Sequence, residues 1–120
     1  MHSTQELFDL LDQHKIQYQA HHHTAVTSVH EGKALFETIS GDHSKNLFLK
    51  DTQNRFLLIS VLESKRVDLK KFAHLIGVGR LSFASPEELF QFLGVIPGSV
   101  TPYGLINDEN NIVHFYLDQD

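Results

Sequence analysis

Cysteine is absent from the 120 residues, which excludes a disulfide framework, cysteine-ligated zinc and thiol catalysis together. Any chemistry must run on oxygen and nitrogen groups. No apolar run approaches the roughly 18 residues that a membrane-spanning helix needs, and no basic segment followed by an apolar stretch opens the chain. A soluble, cytoplasmic protein without membrane association is expected. Proline and glycine are scarce, at three and seven. Two of those prolines and three of those glycines nevertheless fall in GVIPGSVTPYG, residues 94–104.

A chain of this length folds as one domain, residues 1–120, and removes roughly two-thirds of its unfolded surface from water. The apolar share of 41% and charged share of 21% are ordinary for a globular protein and exclude disorder or a fibrous repeat. A net charge of −5 by itself argues against a nucleic-acid partner. The charge is unevenly spread, however. Residues 45–80 hold eight basic against three acidic side chains, a net +5, which leaves −10 for the remainder. Such a split allows a locally cationic face able to attract a phosphate backbone, or simply a solvated mixture of surface lysines.

Four helix starts are marked. Ser3 with Glu6, Ser28 with Glu31, and Ser85 with Glu88 fit the S-x-x-E capping box, and Pro86 occupies the first helical position of the last. Asp68 suits the cap of a fourth helix that carries Leu69, Phe72 and Leu75 inward and stops at Gly77. Leu7, Leu10 and Leu11 share one face of the first helix, and Leu89, Phe90, Phe92 and Leu93 are the core side of the last. Strands are expected at 18–22, 46–50, 56–61, 81–83, 105–107 and 112–117. The turn sequences at 51–54 and 108–111 predict antiparallel hairpins around them. The pattern is α+β.

Nine histidines invite a metal hypothesis. His21 and His23 share a face if extended, yet no third ligand is evident, and His30-Glu31 is followed by Ala34 where a zinc helix needs its second histidine. No metal site is expected. Ser99 lacks the G-x-S-x-G elbow of a serine nucleophile. Ile96-Pro97-Gly98-Ser99 reads as a type II turn, and Thr101 before Pro102 as extended backbone. A loop so braced can aim the amides of Gly98, Ser99 and Val100 at one point, as an anion nest or oxyanion hole does, or can merely link a helix to a strand. Lys45 and Asn46, at the mouth of an apolar strand, supply a charged donor and a group that both donates and accepts.

The segments KNLFLKD, DLKKF, GRLSFASPEEL and GVIPGSVTPYGLIND together resemble the freestanding prolyl-tRNA-editing family, related to the editing insertion of bacterial prolyl-tRNA synthetase. The resemblance runs from about His23 to Asp118 and is nearest the branch that removes alanine from mischarged tRNA(Pro). It implies a compact α+β domain with a bent, mixed and largely antiparallel sheet and flanking helices. The implied activity is hydrolysis of the aminoacyl ester on the 3′-terminal adenosine. The partner is then the acceptor end of mischarged tRNA(Pro), with prolyl-tRNA synthetase a further candidate, and no cofactor is called for.

By the same resemblance the essential lysine is Lys45, with Asn46 beside it, and the family's G-x-x-x-P loop is Gly98-Ser99-Val100-Thr101-Pro102. Val26, Thr27 and Ser28 match the stretch that lines the amino-acid pocket, whose size would exclude proline while accepting alanine. The family's later His-Pro and Asn-Thr elements have no counterpart here, so the domain is expected to be short at its C-terminus. His114 is not their equivalent. Two other readings stay open at this point: a tRNA-binding or adaptor module of the same fold without hydrolysis, and a deacylase for another small amino acid such as cysteine.

Overall fold

The computed structural model describes residues 1–22 and 39–119. In chain order the elements are α1 (Thr4–Gln13), β1 (Ser44–Lys50), β2 (Phe56–Leu62), α2 (Leu69–Ile76), β3 (Ser82–Phe83), α3 (Pro86–Leu93), a 3-10 helix (Pro102–Asn107) and β4 (His114–Leu117). The helix expected to open at Ser28 lies outside the described residues.

Local chemistry sets the helix ends. The Ser3 and Ser85 hydroxyls accept from the amides of Glu6 and Glu88, each at 3.1 Å, and both glutamates return to the cap amides. Asp68 Oδ1 accepts from the Lys71 amide at 3.1 Å at the start of α2. Gly77 and Gly94 end α2 and α3 in the left-handed conformation, with φ of +75° and +70°, which costs a glycine nothing in side-chain sterics.

The sheet runs β3-β1-β2-β4. β1 pairs antiparallel with β2 and with β3, and β2 pairs parallel with β4, so the architecture is α+β with a mixed sheet. The sequence of β2, FLLISVL, is buried at every position but the last. A strand reads as a continuous apolar run when both faces are covered. Phe48, Phe56 and Leu58 pack with Leu89 and Leu93 of α3 on one face. Leu49, Leu57, Ile59 and Val61 pack with Ala73 of α2 on the other.

Four local expectations fail. Residues 18–22 form no strand; Tyr18 instead stacks on Phe8 of α1, ring centroids 5.3 Å apart, which holds the segment against that helix. Leu105–Asn107 belongs to the 3-10 helix that Pro102 opens. The turn at 108–111 therefore does not close a hairpin. The Asp108 carboxylate collects the amides of Ile112 and Val113 at 3.1 and 2.8 Å and feeds the chain into β4 beside β2, parallel to it. Leu75 and Phe90, expected inside, are 81% and 54% exposed. The inner face of α2 is Leu69, Phe72, Ala73 and Ile76, the i, i+3, i+4, i+7 stripe of a helix, and position 75 falls off it.

The β1–β2 turn is built on one buried carboxylate. Asp51 accepts from the amides of Gln53 and Arg55, both at 2.8 Å, and from Arg55 Nε at 2.6 Å. Removal from water works to raise the Asp51 carboxyl, but the Arg55 amide, the Arg55 side chain and the Gln53 amide outweigh it and hold the group below its ordinary 3.8. A depressed carboxylate stabilises the fold above its unfolded pKa and ceases to as pH falls through the folded value. Asp51→Asn should therefore lower the melting temperature at pH 7, and the gap between wild type and variant should close as the pH is taken below 3.8. A gap in thermal denaturation that persists unchanged to pH 2.5, on the order of one unit below that range, would show that the charge is not the source.

Candidate active site

Strand alternation sends neighbouring side chains to opposite faces. On β1 this separates the two residues of the KN pair. Asn46 stands on the face of Phe48, toward α3, and is the Cα partner of buried Ser60 on β2. Lys45 begins on the face of Leu47 and Leu49, toward α2, and is the Cα partner of Val61.

The glycine loop lies over the Asn46 face. Gly98 has φ of +90° and the Ser99 amide bonds to the Ile96 carbonyl at 3.0 Å, the geometry of a type II turn. Thr101 is extended, with φ −149° and ψ 146°, and its hydroxyl accepts from the Tyr103 amide at 3.3 Å as the 3-10 helix begins. The turn thus consumes the Ser99 N–H, which the sequence alone had free to face a ligand. The amides of Gly98 and Val100 have no partner among the described residues, and Ser99 retains its hydroxyl.

Asn46 joins strand and loop. Its Nδ2 donates to the Val100 carbonyl at 3.0 Å, which fixes the amide's orientation because only the nitrogen can donate. Oδ1 is then left buried without a hydrogen-bond partner among the described residues. An unsatisfied buried acceptor costs about 1–3 kcal/mol, so such an atom calls for a donor that the described residues do not supply.

Two further contacts hold the loop at its ends. Lys50 Nζ pairs with Glu88 Oε1 at 3.0 Å, tying β1 to the first turn of α3; the Ser85 amide and then Lys50 keep the Glu88 carboxyl below its usual range. Asn107 donates to the Leu93 carbonyl at 2.9 Å and accepts from the His2 amide at 2.8 Å, joining the end of α3, the 3-10 helix and the start of the chain. Gly104 packs so closely there that a Cβ would meet the Leu93 carbonyl oxygen at 2.9 Å. Sequence reading assigns no role to Asn107 or Ser60: both stand there only as members of expected strands, and their partners, Leu93 with His2 and Asn46, lie far from them along the chain. Val26, Thr27 and Ser28 lie outside the described residues, as does His23. Among the described residues no three of His, Asp and Glu gather as metal ligands, and no helix is long and apolar enough to cross a membrane.

Comparison with known proteins follows the same residues. The profile of the aminoacyl-tRNA editing domain matches residues 23–120. The prolyl-tRNA editing protein ProX of Acetoanaerobium sticklandii is 32% identical over 121 aligned positions that take in 100% of this chain and 74% of that protein. The prolyl-tRNA synthetase associated domain-containing protein 1 of Xenopus laevis is 37% identical over 117, covering 95% of this chain and 69% of its own length. Its putative human counterpart is 36% identical over 99, covering 80% and 58%. The crystal structure of a hypothetical protein, APE2540, superposes with a TM-score of 0.72 at 18% identity over 93% of this chain and 72% of that one, which is a likeness of fold.

The turn geometry is testable by itself. A Cβ at Gly98 would meet nothing within 4 Å, so Gly98→Ala tests backbone conformation without a clash. It should cost about 1–2 kcal/mol, the penalty of left-handed φ for an L-residue, with Gly98→Asn losing less. Equal stability of wild type and Gly98→Ala in urea unfolding would mean that the turn does not need its glycine.

Proposed function

The chain belongs to the aminoacyl-tRNA editing domain family, and from that premise we propose that it is a trans-acting deacylase that hydrolyses the ester of mischarged Ala-tRNA(Pro). The observation that carries the reading is the Asn46 amide. It draws the strand motif and the glycine loop, 54 positions apart, into one locus and leaves a buried acceptor there.

An aminoacyl ester needs an attacking water, a place for the negative charge that develops on its carbonyl oxygen, and an ordered leaving ribose. The free amides of Gly98 and Val100 suit the oxyanion. Each well-aimed donor of this kind contributes roughly 3–4 kcal/mol in hydrolases. Asn46 Oδ1 accepts from one of the two donors that flank an aminoacyl ester, the α-ammonium or the ribose 2′-hydroxyl. Asn46 as a whole is half-buried, so a modest shift of the loop brings that oxygen to a bound molecule. The attacking water passes its proton to the 2′-oxygen, whose own proton moves to the leaving 3′-oxygen, as the acyl carbon–oxygen bond breaks. The substrate itself thus completes the proton balance.

Lys45 serves as a charged donor to the terminal phosphate or ribose. It has no ion-pair or hydrogen-bond partner among the described residues, as such a role requires. Selection for alanine over proline is by pocket size, with Val26, Thr27 and Ser28 as walls and the Ser99 hydroxyl, Thr101 and Pro102 at the loop side. The partners are the acceptor end of tRNA(Pro) and, as the source of the mischarged product, prolyl-tRNA synthetase.

Release of labelled alanine from Ala-tRNA(Pro) tests the proposal. Wild type should deacylate far above the buffer rate, Asn46→Ala should lower kcat/KM by about 100-fold, as loss of one fixed polar contact to the reacting group does, and Lys45→Ala should act chiefly through KM. Wild-type release no faster than buffer overturns the assignment, and faster release from Cys-tRNA(Pro) would move it to that substrate.

A further inference from the structure

The described cations between residues 45 and 80 fall into two populations. Lys50, Arg55 and Lys65 are paired with Glu88, Asp51 and Asp118 at 3.0, 2.6 and 2.6 Å. Arg66, Lys70, Lys71 and Arg80 are exposed and, like Lys45, have no carboxylate partner among the described residues. Four of these, Arg66, Lys70, Lys71 and Arg80, lie around one helix. Arg66 and Lys71 border a groove of about 510 Å³ on one flank of α2, and Lys70, Lys71 and Arg80 border a groove of about 990 Å³ on the other. Lys71 and Leu75 edge both, so α2 stands as a ridge between them.

The link from this ridge to the candidate active site runs along the sheet at Lys45. Val61 forms part of the first groove and is the Cα partner of Lys45, whose side chain leaves β1 on the α2 face. Two carboxylates share these grooves: Asp118, which is paired with Lys65, and Asp68, whose Oδ1 caps α2. Four cations against the single carboxylate of Asp68 leave the ridge net positive, on a chain whose net charge is −5. Such a cluster finds compensation in a polyanion that docks across it.

We propose that the α2 ridge holds the phosphate backbone of the tRNA's base-paired acceptor stem, with the strand passing from Lys45 at the sheet end onto Arg66 and Lys71 and then toward Lys70 and Arg80. The inference rests on the reading of the chain as a tRNA deacylase and adds where the RNA lies. In this arrangement the two faces of β1 divide the substrate. Asn46 and the glycine loop meet the ester, and Lys45 and α2 meet the phosphates.

Uncharged, fluorescently labelled tRNA(Pro) tests this without hydrolysis. Anisotropy titrations across a salt series should show the Arg66→Glu/Lys71→Glu and Lys70→Glu/Arg80→Glu proteins binding at least about tenfold more weakly than wild type. The slope of log Kd against log salt should flatten by roughly 0.9 for each phosphate contact removed. Arg66→Lys/Lys71→Arg, which keeps the charges, should bind within about twofold of wild type, and so should Lys15→Glu, a single charge reversal away from the ridge, just past the end of α1. Circular dichroism confirms that each variant is folded. Unchanged affinity and slope in both reversal variants overturn the proposal, as does absence of wild-type binding at low salt. So does sedimentation showing that the reversals instead dissolve a dimer, in which the acidic remainder of a second copy covers the ridge. The outcomes separate from those of the deacylation assay. A wild type that binds tRNA without releasing alanine overturns the enzyme reading alone, and one that deacylates while ridge variants bind normally overturns the ridge alone.

Discussion

One hydrogen bond, from Asn46 Nδ2 to the Val100 carbonyl at 3.0 Å, determines how the rest of the site is assembled. The glycine loop is a connection on the surface of the domain, and most connections of that kind drift relative to the sheet. Here the amide holds it against the third residue of β1. Its oxygen is left over, since Oδ1 is enclosed with no donor among the described residues. Elements farther away brace the same contact: Lys50–Glu88 fixes α3 to β1, and Asn107 fixes the far end of the loop to the last turn of α3.

The second constraint is the two-residue period of a strand. Because β2 is covered on both faces, the register of β1 against it is strongly determined. A slip of one residue would put Phe48 and Leu49 against the wrong layers. The same register sends Asn46 toward the loop and Lys45 toward α2. Adjacent residues thereby face different layers, Asn46 the glycine loop and Lys45 the side of α2.

Much of the fold was legible because its cues act over three or four residues. The Ser3 and Ser85 capping boxes, the Asp68 cap, the left-handed glycines at 77 and 94, and the Pro97-Gly98 turn were all readable, since each involves groups that meet as soon as the chain bends locally. The misreadings share the opposite character. Leu105–Asn107 is apolar enough for a strand, but Pro102 and the fit of Gly104 against Leu93 commit it to a 3-10 helix. The turn at 108–111 looks like a hairpin until Asp108 spends its carboxylate on the amides of residues 112 and 113.

Sequence alone therefore determined where helices begin and end, that β1 and β2 form a hairpin, which glycine bears the positive φ, and which motifs mark the family, for these rest on covalent geometry and short-range hydrogen bonds. Tertiary structure decided the parallel placement of β4, the bond between residues 46 and 100, the loss of the Ser99 amide as a free donor, and the gathering of unpaired cations around α2. Each of those depends on which surfaces meet across the sheet. That choice belongs to the burial of whole faces, which no window of neighbouring residues contains.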